Sequence, residues 1–399
     1  MQPAIRKRRV GVALTISAAV ALILVGARPQ RTGNAVQAAT TPSFNMKSIS
    51  SMSHARAFAT ATTLTTGMVL ITGGIDSGYN YLPTAELYDP TSQKFMVLGN
   101  MTTPRVAHSA TLLPNGQVLL AGGVICSAGQ CGYLASAEIF DPVARRFSAV
   151  GSMIAARANH TATLLSDGTV LFAGGNSTDA LATVEIYDPG TRRFSAAGAM
   201  SSPRFFHTAT LLQDGAVLVA GGRGCADECN DNSAGASAEL YDPGTRRFSL
   251  TGSMSEGRIL HTATLVNDGQ VLITGGRACV GDCEGDRTLQ NTELYDPSTQ
   301  TFNPGPDMTA ARASHIAVAM PSGQIFIYGG SSCSRRAGCQ YLNSGEIFAP
   351  NTGAFVAAGN GSVAGPNIVA ALIASQQILI AGGRVKGTIG SGAELFTLN

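Results

Sequence analysis

The chain has 399 residues, of which 13% are charged and 44% hydrophobic, and its formal net charge is +2. So small a charge implies no polyelectrolyte partner, and with no basic stripe and no interleaved aromatic platform nothing points to nucleic acid. The length would suggest two or three domains, but internal repetition weakens that prior, because repeat folds grow by adding units and not by enlarging one core.

Residues 1–27 begin with Arg6-Lys7-Arg8-Arg9 and continue in an uncharged apolar run from Val10 to about Gly26. A basic start followed by an apolar stretch has the form of a secretory signal. The run is also barely long enough to span a bilayer, so a retained signal anchor is the alternative. Both readings put the remainder outside the cytoplasm, as a secreted, periplasmic or cell-surface protein whose only membrane contact is that anchor. Residues 28–43 lack periodicity and read as a flexible linker.

From residue 44 to 399 the chain is organised by a double glycine that recurs about every fifty residues: Gly73-Gly74, Gly122-Gly123, Gly174-Gly175, Gly221-Gly222, Gly275-Gly276, Gly329-Gly330 and Gly382-Gly383. Periods of this size mark solenoids, propellers or arrays. In the third copy, Arg157 precedes His160-Thr-Ala-Thr-Leu-Leu165, Asp167-Gly168, a run ending at Gly175, then Glu185-Ile-Tyr-Asp-Pro189 and Phe194. Asp-Gly suits a two-residue hairpin with positive φ at both central positions. Asp-Pro starts a second turn, where proline presets φ. Each copy is thus four short antiparallel strands, A to D. Such units bury both faces when arranged radially, which predicts an all-β, seven-bladed β-propeller. Small residues on strand A fit the crowded axis, and Phe95, Phe147, Phe194, Phe248, Phe302 and Phe355 on strand D fit the wider rim. The seventh copy has no strand D of its own. Residues 44–52, with Met46 and Met52 spaced like Phe95 and Met101, are expected to supply it and remove an open edge.

The eight cysteines fall two per B–C loop: Cys126/Cys131, Cys225/Cys229, Cys279/Cys283 and Cys333/Cys339. Near-neighbour disulfides are the favoured pairing, with loop-to-loop bridges and metal ligation as alternatives; variable spacing and the lack of His in these loops argue against zinc. Glu86 and its six counterparts, and Arg56, Arg105, Arg157, Arg204, Arg258 and Arg312, hold one register each. They read as buried pairs serving the blade, because a desolvated carboxylate needs a partner. His108, His160, His207, His261 and His315 share a register that places them between blades, and no metal is assigned to them. His54 lies out of register and is expected to be solvated. Function is sought where the copies differ, in the B–C loops: Tyr79, Tyr81, Tyr133, Arg223, Arg277, Arg335, Arg336 and Tyr341 are the candidate ligand-binding residues. Asp282, Glu284 and Asp286 alternate as in some calcium loops, without a full ligand set.

Gly-Gly ending strand B, Glu-Leu-Tyr-Asp-Pro on strand C, an aromatic on strand D and the following Met and Arg resemble Kelch repeats over residues 44–399, with Phe where Kelch repeats usually carry Trp. The resemblance implies a binding or scaffold module that contacts a protein or a glycan through its loops. No Gly-x-Ser-x-Gly elbow, Walker loop or His-Glu-x-x-His is present, so the expectation is a non-enzymatic monomer with no cofactor. The alternative is an oxidase resembling galactose oxidase, which is also built on a Kelch-like propeller. That resemblance implies copper held by a Cys–Tyr crosslink, a second Tyr and two His.

Overall fold

A computed structural model describes residues 43–127, 130–224, 235–278, 287–334, 338–385 and 388–399. The expected leader at 1–27 and all but the last residue of the expected linker at 28–43 lie outside them. All regular structure among the described residues is β, and no helix there is long and apolar enough to cross a membrane.

Seven four-stranded antiparallel sheets form a ring. Blade 1 consists of Thr60–Thr63, Val69–Thr72, Thr84–Asp89 and Lys94–Asn100. Blades 2 to 6 repeat that order. The A strands of successive blades lie against one another, with blade 7 returning to blade 1, so they encircle the axis. Strand B is buried along its length in every blade, as in Val170–Ala173, because it faces a neighbouring sheet on both sides. On strand D each Phe packs on the aromatic residue opposite it on strand C, with ring centroids 4.8–5.2 Å apart from Tyr88–Phe95 to Phe348–Phe355.

The closing strand is where its pattern predicts. Phe44–Ser48 pairs antiparallel with Ala393–Leu398, in the register Phe44↔Leu398 to Ser48↔Glu394. Met46 stands opposite Phe396, as Phe95 stands opposite Tyr88.

The A–B hairpins differ from expectation. Only the glycine, such as Gly116 or Gly168, has positive φ. Leu113 N donates to Gln117 O and Gly116 N to Leu113 O, which makes a three-residue connection with a left-handed glycine. The preceding side chain accounts for the difference. Asn115 and Asp167 each accept the N–H two residues on, and so stay at negative φ.

Candidate functional site

The residues that repeat serve the blades. Arg157 is fully buried; its Nη1 donates to Gly174 O at 2.7 Å, and its Nη2 meets Glu185 Oε1 at 2.7 Å. The second oxygen of Glu185 accepts from Ile154 N at 2.7 Å. The clamp therefore ties the D–A loop to strands B and C of one blade. It recurs at Arg56–Glu86, Arg105–Glu138, Arg204–Glu239, Arg258–Glu293 and Arg312–Glu346, at 2.6–2.9 Å. In blade 7 Gly365 stands at the arginine position. Tyr328 of blade 6 gives its hydroxyl to Glu394 at 2.7 Å instead, and burial, followed by the nearby carboxylate, pushes that phenol well above its ordinary range.

The histidines join neighbours. His108 Nε2 lies 3.2 and 3.1 Å from the hydroxyls of Thr60 and Thr72 in the blade before it. His160, His207, His261 and His315 make the corresponding contacts to Ser109, Thr161, Thr208 and Thr262 at 3.0–3.1 Å. Burial, with the adjacent Arg second, lowers His160, His207 and His315 to about 3 and His108 and His261 well below their usual value. His54 is only half-buried, and its Nδ1 sits 3.6 Å from Glu86, so it is not the freely solvated side chain expected.

The position just ahead of the histidine register varies from blade to blade. Phe58, Ala107, Asn159, Phe206, Leu260, Ser314 and Asn367 occupy it, and all seven have φ between 52° and 64°. Left-handed φ is costly for such residues and marks sites that their surroundings over-determine. Each enters strand A, the innermost strand, so together they ring the axial mouth on the B–C loop face. Backbone bonds link neighbours directly, from Asn159 N to Ala107 O and from Ser314 N to Leu260 O. Phe58 and Ala107 are buried in an apolar cluster with Ile75, Val106, Val124 and Ile389. Tyr81, Tyr133 and Phe206 pack against that cluster and remain half-exposed.

A polar chain crosses the same rim. Asn159 Nδ2 donates to Asn176 Oδ1 at 2.8 Å, and Asn176 Nδ2 donates to Tyr133 Oη at 3.2 Å. Asn159 Oδ1 is withdrawn from water with no partner in the structure. A buried unpaired acceptor is costly and is satisfied by a donor from outside.

Of the sequence candidates, Tyr81 and Tyr133 come together at this mouth. Tyr79 stands apart, 60% exposed at φ 62°, with its hydroxyl and ring face taken up by Arg384. Arg223 and Arg277 follow the double glycines and pair by backbone with Phe205 and Ile259. Tyr341 lies on the outer side of a short hairpin. Arg335 and Arg336 lie outside the described residues, as do Asp282, Glu284 and Asp286. Cys126–Cys131 and Cys333–Cys339 are disulfides that staple facing residues of the loop hairpins; Cys225, Cys229, Cys279 and Cys283 fall outside the described residues. The sequence reading missed Asn159, Asn176, Phe206 and Arg384. The signal for the ring was available in a column that varies beside a histidine repeated in five blades.

No family model matches the chain. Two galactose oxidases of Gibberella zeae are 30% identical over 96 residues, which is 24% of this chain and 12% of theirs. A fungal alcohol oxidase of the AA5 family, solved in complex with copper, superposes with a TM-score of 0.69 at 17% identity, over 90% of this chain and 77% of that one. YjhT superposes with a TM-score of 0.57 at 13% identity, over 77% of this chain and 99% of its own. This is a propeller of the Kelch and galactose-oxidase type. The expectation that the chain is not an enzyme is corrected by the same matches, since the galactose oxidases and the copper alcohol oxidase point to an oxidase. Contiguous motifs were a poor guide because a propeller site is assembled from loops of separate blades. The chain spans about an eighth of the length of these curated relatives.

The described residues do not fit a copper centre of that kind. The five in-register histidines spend Nε2 on hydroxyls between blades. Cys126, Cys131, Cys333 and Cys339 are held in disulfides. Among the described residues no three His, Cys, Asp or Glu converge.

Proposed function

We propose that this propeller serves an extracytoplasmic oxidase of hydroxyl-bearing substrates, sugars or primary alcohols, and receives them at the axial mouth. The observation that carries the reading is the juxtaposition of half-exposed Phe206, Tyr81 and Tyr133 with the unpaired Asn159 oxygen. Apolar walls with a few placed polar groups are the usual composition of a small-molecule site. A sugar offers a matching pair of surfaces, a C–H face for the rings and hydroxyls for the polar rim at Asn159. The disulfides agree with an oxidising compartment. These residues bind and orient; they supply no redox centre, and no step through copper is derived.

The test is binding of a panel of sugars and primary alcohols to the purified protein, followed by ligand-observed NMR, with peroxide release from the protein as isolated measured alongside. Phe206→Ala and Asn159→Ala should each weaken binding about tenfold, with the melting temperature little changed. Absence of both binding and peroxide across the panel would overturn the proposal.

A further inference from the structure

Three adjacent pairs of arginines stand apart from the blade clamps. Arg145-Arg146, Arg192-Arg193 and Arg246-Arg247 occupy the C–D turns of blades 2, 3 and 4; all six are exposed, and none belongs to an ion pair among the described residues. The outer strands set where they stand. Gly151, at the end of strand D in blade 2, donates its N–H to Arg192 O at 3.3 Å, and Gly252 of blade 4 donates to Gln300 O at 3.0 Å. A Cβ on Gly198 of blade 3 would lie 3.1 Å from Arg246 O. Arg145 reaches back to Met96 Sδ of blade 1 at 3.8 Å. The outer strands therefore run end to end around the wall, and each arginine pair sits where one strand hands over to the next. A strand of this length spaces successive pairs by roughly 15–20 Å.

Each arginine pair faces one aspartate across its own turn, which leaves the pair in excess. The segments Arg146-Phe-Ser-Ala-Val-Gly151 and Arg193-Phe-Ser-Ala-Ala-Gly198 carry no carboxylate. Asp141, Asp188 and Asp242 have both oxygens engaged, one by N–H groups of its own turn and the other by Gln117 Nε2, the Thr191 hydroxyl and the Thr245 hydroxyl respectively. The arc is also one-sided, because the matching positions of blades 5 and 6 are Gln300-Thr301 and Gly353-Ala354.

We propose that this arc is a docking surface for a linear acidic polysaccharide, laid along the outer wall across blades 2 to 4. Guanidinium groups pair with carboxylate or sulfate in bidentate fashion, and their spacing along a curved wall suits an extended polyanion better than a compact anion. Phe147, Phe194 and Phe248 turn inward onto strand C, which leaves no aromatic platform for nucleic-acid bases. The proposal is independent of the oxidase reading, since it concerns a different surface.

The test measures binding of the full chain to a polyuronate, to a neutral glycan of equal length, to duplex DNA and to phosphatidylserine vesicles at 50 and 200 mM salt. Gln93 and Gln300 hold the same left-handed turn position as Arg145, Arg192 and Arg246, so R145Q/R192Q/R246Q preserves the turns; an unchanged melting temperature verifies it. The polyuronate should bind, the neutral glycan should not, and affinity should fall about tenfold or more with the added salt. The triple variant should lose about tenfold at low salt and show a shallower salt dependence. Undiminished binding by the triple variant, no polyuronate binding, or tighter binding of DNA or vesicles than of polyuronate would each overturn the assignment.

Discussion

Acid should dismantle this protein through its histidines before its carboxylates. His160, His207 and His315 titrate near 3 when folded, and His108 and His261 are likewise depressed by burial. An unfolded histidine titrates near 6.5. Between those values the unfolded chain takes up protons that the folded chain excludes, so stability is complete above about pH 7 and falls as pH drops through 6.5. Each histidine contributes a loss of about 1.4 kcal/mol per pH unit below that point. Five acting together remove about 7 kcal/mol by pH 5.5, comparable to the whole stability of an ordinary domain. The turn aspartates such as Asp141 have lowered values, and their contribution begins to fail only near pH 4, outside this window. Urea denaturation from pH 7.5 to 5.0 reads the slope directly. His160→Gln, which keeps a hydrogen-bonding group toward Ser109, should reduce the slope by about a fifth. A free energy of unfolding that stays level between pH 7 and 5 would refute the reasoning.

Two further outcomes follow from the packing. Removing residues 43–48 strips the outer strand from blade 7, with its backbone pairing and the Phe44–Phe396 stack; a loss on the order of 5 kcal/mol is expected from the hydrogen bonds alone, read as a lowered urea midpoint. Arg157→Met leaves Glu185 buried and unpaired, which should cost about 3–5 kcal/mol, whereas Arg157→Met with Glu185→Leu should recover much of the loss; chemical denaturation of the single and double variants distinguishes the two.

Much of the architecture was legible because repetition turned one chain into seven parallel observations. The double glycines, the Phe ring and the Met46–Met52 spacing fixed blade number and closure, and recurrence in most blades separated Arg157 and His160 from candidate ligands. What escaped was local or depended on non-sequential neighbours. The hairpin type turned on a side-chain bond from Asn115 or Asp167 to its own backbone, which competes with the φ preference of the pair. Asn159 and Asn176 became a site only when the D–A and B–C loops met at the axis. Arg384 and Tyr79 are 305 residues apart. The exposed arginine pairs are 47 and 54 residues apart in sequence, from Arg145 to Arg192 and from Arg192 to Arg246, so a whole-chain charge of +2 concealed a one-sided arc.

The histidine junctions are not spread evenly round the ring. They fasten blades 1 to 6 in succession, from His108 on Thr60 to His315 on Thr262. The two remaining junctions have none: Ile368 stands at the histidine position of blade 7 and Ala59 at that of blade 1, both inside apolar clusters. Blade 6 is cemented to blade 7 by Phe326 stacked on Phe396 at 3.9 Å. Acid thus loosens the five junctions from blade 1 to blade 6 and leaves the two that flank blade 7 untouched as an oily keystone. Phe44–Ser48 is stowed in that keystone beside Ala393–Leu398, so acid should open the ring first on the side away from this strand pair.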